Sequence, residues 1–470
     1  MGAERQQVSG DQLSLFAETA PLCPDAGGDG GTGASACEAS QTSTVLDPAR
    51  ALTGNLMEEV CRRENLNRAY QRVKANQGAG GADGMSVDEL NPWIQQHKEV
   101  LIASLLDGSY QPQPVRRVDI PKAGGGMRQL GIPTVVDRLV QQAILQVLEP
   151  LLDPTFSASS YGFRPGRSAH EALAQASQYV ADGRVIVVDI DLENFFDRVN
   201  HDVVMARLAR RVADTRLLKI VRRFLQAGIL YNGVCIERHE GAPQGGPLSP
   251  LLTNLLLDDL DRELERRGHR FCRYADDCNI YVQSRAAGER VMAAVTRFLE
   301  QRLRLRVNRD KSAVAHTQER KFLGHRLLNG GTLTIAPQSL QRAQARICQI
   351  TRRNRGISLE RMIRELNSFL TGWVAYFRYA ECRRHLVVLD GWIRRKLRCV
   401  RLKQRKRARS IAEFLQSLGV PRNRSWTTGA CGKGWWRMAQ TPAAQQAMPT
   451  AWFKTHGLVC LADRYAALHH

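Results

Sequence analysis

FCRYADDCNIYV, residues 271–282, is the stretch on which the reading of this chain turns. Two runs of strand formers, Phe271–Tyr274 and Cys278–Val282, flank Ala275-Asp276-Asp277, so the spacing predicts a hairpin with two acids in its turn. Adjacent carboxylates at the tip of apolar strands repel each other and lose hydration. A hard divalent cation removes that penalty, because Mg²⁺ accepts carboxylate oxygens and leaves coordination sites for phosphate. An isolated Asp-Asp is an ordinary polar turn. A second acidic site changes the balance.

That site lies upstream. VIVVDI (185–190) is a β-branched run that reads as a buried strand, and Asp191 follows directly in VDIDLENFFD. Two carboxylate sites at strand ends suit a pair of metal ions on either side of an in-line phosphoryl displacement.

Around these strands, VRRVDIP (115–121) reads as a strand and Gly124–Gly126 as a turn. Val135–Leu152 reads as an apolar helix, Ser168–Ala181 as a helix with an N-cap serine, 200–228 as largely helical, 248–267 and 286–303 as helices. VNRDKSAVAHT and KFLGHRL look extended. After Pro337 the pattern becomes basic helices, near 338–354, 358–380 and 386–409, which places a boundary near 335. The mixture is not strict βαβ, so the expectation is an α+β core followed by an α domain. Residues 1–55 are rich in small residues and read as a disordered extension.

The chain has 470 residues and a formal charge of +21. Residues 341–410 alone hold 20 basic and 4 acidic side chains, whereas 56–340 hold 39 and 33. So concentrated a field attracts a polyanion. No apolar run long enough for a membrane span occurs, and no secretory signal is evident. The 11 cysteines form no CxxC pair, which points away from a zinc ribbon and toward a reducing, cytoplasmic setting.

Tyr274-Ala275-Asp276-Asp277 resembles the YxDD box of reverse transcriptases. More specifically, the chain resembles bacterial group II intron-encoded reverse transcriptase/maturases over roughly 56–465. The blocks GAGGADGMSVDEL, IPKAGGGMRQLGIPTVVDR, SYGFRPGRSAHEAL, VVDIDLENFFDRVNHD, GAPQGGPLSPLLTN, FCRYADDCNIYV, LRVNRDKS and KFLGHRL follow the family's order. The resemblance implies a right-hand polymerase fold, with fingers and palm over 56–335 and an all-α thumb/maturase X domain over 336–420. It implies catalytic Asp191, Asp276 and Asp277, with Asp191, the Leu192 carbonyl and Asp276 holding two Mg²⁺. It further implies nucleotide contacts from Lys122, Arg128, Phe196 (a gate against the ribose 2′-hydroxyl), Gln244 and Lys311. Phe195, Asp189 and Asp197 read as structural. Gln129 stands where the family usually has proline.

LNSFLTGWVAYFRYA and LDGWIRRKLR resemble the X domain. Trp373, Phe377 and Trp392 read mainly as core. Arg342, Arg346, Arg394, Arg395, Lys396 and Arg398 have few local acids to pair with and read as RNA-binding. The expected partners are group II intron RNA, a template–primer duplex, target DNA and dNTPs, with no membrane. Residues 421–470 read as a tail without an HNH endonuclease, as in a group IIC-like lineage that takes its primer from elsewhere, such as a replication fork. The rival readings are a reverse transcriptase of a retron or CRISPR-linked system, and an RNA-binding splicing factor without polymerase activity.

Overall fold

The computed structural model describes residues 54–121, 127–231, 234–238 and 240–469. Nearly all of the 1–55 extension and the glycine turn at 124–126 lie outside the described residues, as do Lys122 and the side chain of Arg128. The chain forms two compact units. One comprises the chain through Ala172, Val188–Ile280 and Glu289–Ala313; the other comprises Leu173–Val187, Tyr281–Gly288 and Val314–His470.

The first unit begins with helices α1 (Leu56–Cys61), α2 (Arg63–Asn76) and α3 (Leu90–Leu106). Strands β1 (Val115–Pro121) and β2 (Met127–Ile132) then pair antiparallel, with Arg116 opposite Ile132 and Ile120 opposite Arg128. A second hairpin, β4 (Ile229–Tyr231) and β5 (Val234–Ile236), adds to the free side of β1 in parallel, giving the order β2-β1-β4-β5. Helix α4 (Val135–Leu152) follows the expected bounds. Its stripe of Leu139, Val140, Ala143, Ile144 and Leu148 is fully buried, and the Thr134 hydroxyl caps it by accepting from the Asp137 N–H at 3.1 Å.

Helix α5 (Ala169–Ala181) opens where expected, with the Ser168 hydroxyl accepting from the Glu171 N–H at 3.2 Å. The stretch 200–228 resolves into α6 (His201–Arg211) and α7 (Thr215–Gln226), capped by Asn200 and Asp214. Helix α8 (Ser249–Arg266) precedes the hairpin β6 (Arg270–Tyr274) and β7 (Asp277–Val282), and α9 (Arg285–Phe298) ends in a π turn at Leu299–Leu303. These strands join β3 (Ile186–Ile190) and β8 (Ala313–His316) in a sheet of order β6-β7-β3-β8.

In the second unit, β9 (His325–Leu327) and β10 (Leu333–Ile335) pair antiparallel. Phe322 and His325 exchange backbone hydrogen bonds at 2.9 Å across Leu323-Gly324, both at positive φ (48° and 78°). This is the left-handed pair that a two-residue hairpin demands. The Tyr376 hydroxyl fixes the turn by donating to the Leu323 carbonyl at 2.8 Å. The rest is helical: α10 (Pro337–Ile350), α11 (Leu359–Tyr376), α12 (Arg383–Arg405), α13 (Ala408–Ser417) and five short helices, α14–α18, spanning 422–467. One apolar cluster unites them, including Leu366, Leu370, Phe377, Leu397, Leu415 and Phe453. Phe377 lies inside it, and Trp373 and Trp392 pack against it half-buried, as the sequence suggests.

Asp137 in α4 is buried, and it accepts from the hydroxyls of Thr134 (2.7 Å) and Tyr110 (2.8 Å) and from the Gln113 N–H (3.2 Å). Burial still dominates and pushes its carboxyl up from 3.8 to about 6. Between these values the folded chain holds a proton that the unfolded chain has released. The stability contributed by Asp137 therefore falls as pH rises from about 4 to about 6, and is level above that. Denaturation midpoints of wild type minus Asp137→Asn, measured across that window, should decline with pH; a rising difference would contradict this.

Candidate active site

Strand β6 ends at Tyr274 and β7 begins at Asp277, so the connection is the two-residue turn Ala275-Asp276. This corrects the three-residue turn expected from sequence: Asp277 is the first residue of a strand. Ala275 sits at φ +58°, a left-handed conformation costing a residue with a Cβ about 1–2 kcal/mol. The surroundings hold it there. The Ala275 carbonyl accepts from Arg273 Nη1 at 3.0 Å, and Gly162 packs so closely that a Cβ on it would fall 2.3 Å from the Ala275 nitrogen. The glycine of SYGFRPGR is thus explained by close backbone approach.

Arg273 is the centre of this support and was not singled out in the sequence. It is 1% exposed, and Asp261 on α8 is 0% exposed. Arg273 Nε and Nη2 donate to the two Asp261 carboxylate oxygens at 2.7 and 2.5 Å. Nη1 also donates to Asn254 Oδ1 at 3.0 Å, and Nη2 to the Ser160 hydroxyl at 2.8 Å. The backbone is tied in as well: Arg273 N–H donates to the Ser159 carbonyl, and the Arg273 carbonyl accepts from the Tyr161 N–H, both at 2.9 Å. Asn254 completes the ring by donating to the Gly162 carbonyl at 2.9 Å. Burial pushes the Asp261 carboxyl up against the pull of the guanidinium, while the carboxylate keeps Arg273 firmly protonated. Burial also pushes the neighbouring Cys272 and Cys278 thiols up, so both pack as neutral groups in the core.

Asp191 follows the last residue of β3, the strand next to β7 in the sheet. Its carbonyl accepts from the Asn308 N–H, and Glu193 N–H donates to the Arg306 carbonyl, both at 2.9 Å. These two bonds bracket the bridge between Leu192 and Val307. In such a pair the enclosed residue's own N–H and C=O point to the opposite side of the strand, so the Leu192 carbonyl is turned away from Val307. The same stitching brings Lys311 Nζ to 3.5 Å from Asp191 Oδ2. Among the described residues, no group of three or more His, Cys, Asp or Glu side chains is placed to hold a metal ion. The donors are of the kind that suits a hard divalent cation: half-buried carboxylates at the ends of neighbouring strands, with the Leu192 carbonyl next to Asp191 in the chain.

The loop 241–246, which carries Gln244, is tied both to the segment that carries Phe196 and to β2. The Ala242 N–H donates to the Phe196 carbonyl at 2.6 Å, Gly241 N–H to the Val199 carbonyl at 2.7 Å, and Gly131 N–H of β2 to the Gln244 carbonyl at 3.0 Å. Phe195 is buried, as its structural reading requires, and Phe196 lies half-buried against it with ring centroids 5.3 Å apart. Gln244 and Gln129 line a cavity of about 450 Å³ with Arg117, Asp197 and Arg238.

The basic residues divide. Arg342 and Arg346 on α10 donate to neutral neighbours, the Ser339 hydroxyl and Gln349 Oε1, at 3.1 Å. On α12, Arg395 and Arg398 bind backbone carbonyls of the C-terminal segment, those of Trp436 and Met448. Lys396 lies 4.6 Å from the Trp392 ring centroid.

Removing one partner of a buried pair strands the other, so Arg273→Met should cost about 3–5 kcal/mol of unfolding free energy. Adding Asp261→Leu should recover much of that stability. Primer extension on an RNA template, the activity that the resemblance implies, should stay depressed in the double variant, because the Ala275 carbonyl still lacks its donor. Denaturation and extension assays check this; recovery of both together would contradict a positioning role.

A family model described as reverse transcriptase (RNA-dependent DNA polymerase) matches residues 120–327, and one described as group II intron, maturase-specific domain, matches 340–417. Protein YkfC of Escherichia coli K12 is 33% identical over 329 residues, 61% of this chain and 86% of that protein. The group II intron-encoded protein LtrA of Lactococcus lactis is 29% identical over 333 residues, 56% of this chain and 55% of its own length. The retron Mx65 reverse transcriptase of Myxococcus xanthus is 32% identical over 213 residues, 42% of this chain and 46% of that protein. The maturase-specific match separates the intron reading from the retron one. The chain belongs to the group II intron-encoded reverse transcriptase/maturase family, and joins a fingers-and-palm RNA-directed DNA polymerase to a helical maturase domain.

Proposed function

We propose that this enzyme copies its parent group II intron RNA into DNA and, through its basic helices, binds that RNA to promote splicing. The observation that carries the polymerase reading is that Asp191 follows β3 while Asp277 opens the neighbouring strand β7, with Asp276 in the turn that Arg273 supports. Asp191, Asp276, Asp277 and the Leu192 carbonyl would hold two Mg²⁺. Bound there, the ions would favour the ionised primer hydroxyl and offset the charge gathering on the phosphates.

The remaining roles belong to side chains. A primer 3′-hydroxyl attacks the α-phosphate of a dNTP, and pyrophosphate leaves. Lys122 and Arg128 hold the triphosphate; Phe196 and Gln244 bound the sugar and the base pair. Lys311, at 3.5 Å from the Asp191 carboxylate, adds a further contact to the nucleotide beside the acids. Residues 56–335 form fingers and palm, 336–420 the thumb/maturase domain and 421–470 a tail. Target DNA is the acceptor during mobility, in the cytoplasm. The nine described cysteines are all free, and no described helix is long and apolar enough to cross a membrane.

Replacing Asp276 and Asp277 together by Ala should abolish primer extension on an RNA template, a loss of about a thousandfold or more, while protein-stimulated splicing of the intron RNA survives. Retained extension would overturn the polymerase assignment.

A further inference from the structure

Within five residues α12 carries Arg394, Arg395, Lys396 and Arg398, all half-buried. None of the four makes an ion pair among the described residues, although half-burial of a charge has a desolvation cost. Two act as staples. Arg395 Nε and Nη2 donate to the Trp436 carbonyl at 3.2 and 3.0 Å, with the guanidinium 3.7 Å from the Trp436 ring centroid. Arg398 Nε and Nη2 donate to the Met448 carbonyl at 3.0 and 2.7 Å.

The C-terminal segment they hold borders an open cavity of about 550 Å³ against α12, lined by Trp392, Arg394, Arg398, Gln440, Gln445 and Thr450 among others. A space of this size admits a nucleotide. Its lining offers guanidinium, amide and hydroxyl groups and includes no carboxylate. Arg394 makes no hydrogen bond or close ion pair among the described residues; its charge acts at longer range on Asp463, which is itself paired with Lys454. Burial and the like charge of Arg394 pull the Arg398 guanidinium down to about 10. An anion between the two would relieve both effects, and guanidinium groups match phosphate oxygens in geometry.

We propose that this cavity binds a phosphodiester of a nucleic-acid strand, with Arg394 and Arg398 on its oxygens and Gln440, Gln445 and Thr450 on the adjoining sugar–phosphate. The inference rests on the nucleic-acid-binding reading above and adds a specific site to it. Three of these residues lie beyond 417, where the maturase-specific match ends. The C-terminal segment is then part of the RNA-binding apparatus rather than an appendage.

The test uses the full chain and two labelled probes: a structured RNA without primer, and an RNA template annealed to a DNA primer. Arg394→Gln should weaken binding of at least one probe and reduce the slope of log affinity against log salt by about 1. Gln445→Glu, which places a carboxylate in the cavity, should weaken the same probe about tenfold, equivalent to about 1.4 kcal/mol. Arg384→Gln, on an exposed part of α12, should change neither. Loss with the first probe alone assigns the strand to the folded RNA; loss with the second, or both, assigns it to the template–primer. Unchanged binding of both probes by both cavity variants, or an equal loss from Arg384→Gln, would overturn the site. If Arg394→Gln loosens the C-terminal segment, as judged by its unfolding midpoint, Gln445→Glu alone decides. Failure of the wild-type chain to bind either probe would instead overturn the nucleic-acid reading itself.

Discussion

The buried Arg273–Asp261 ion pair is the constraint on which the catalytic turn depends. Two opposite charges lie 1% and 0% exposed. Such a pair rarely adds stability over an apolar filling of the same volume. Its value here is geometric. One guanidinium engages a helix carboxylate, a helix amide, a loop hydroxyl and the carbonyl of Ala275, and so fixes helix, loop and turn relative to each other. With these bonds formed, the pair leaves little unsatisfied, which makes burial tolerable. Ala275 stays in its left-handed conformation, and Asp276 and Asp277 take up fixed positions at the tip of the hairpin.

Much of this fold is written in local pattern. Strand β1 and helix α4 have the bounds that alternation, capping and apolar spacing predict, because those signals report on the same residues that form the element. The acids were legible for the same reason: a short hairpin with charges at its tip is a local anomaly. Arg273 was not, because its meaning depends on a partner 12 residues earlier on another element. A signal existed, since a cation in an otherwise apolar strand requires an anion, and Asn254, Asp258 and Asp261 recur at helical spacing along an apolar helix. The exact length of the turn was also beyond local pattern, because Asp277 is equally at home in a turn or at the start of a strand.

The charge excess shows the same division. Composition alone treats the cations of 341–410 as one field directed at a polyanion. The folded helices give them separate tasks. Arg355 pairs with Glu365, Arg395 and Arg398 anchor the C-terminal segment through carbonyls, and Arg394 faces a cavity. Net charge sets long-range attraction, whereas hydrogen-bond geometry determines which cations are left to meet a phosphate.

Cleavage of the chain by Fe²⁺ bound in place of Mg²⁺ would report most directly on whether the acids act as one metal site positioned by Arg273. Hydroxyl radicals formed at the ion cut the nearest backbone, and mass spectrometry locates the cuts. Cuts should cluster around Asp191 and around Asp276-Asp277, disappear in Asp191→Asn, and be lost from the turn in Arg273→Met and in Arg273→Lys, whose ammonium cannot form the several guanidinium bonds at once. Cuts elsewhere, or cuts at the turn that survive the loss of Asp191 and of the Arg273 guanidinium, would contradict a shared metal site held by the buried pair.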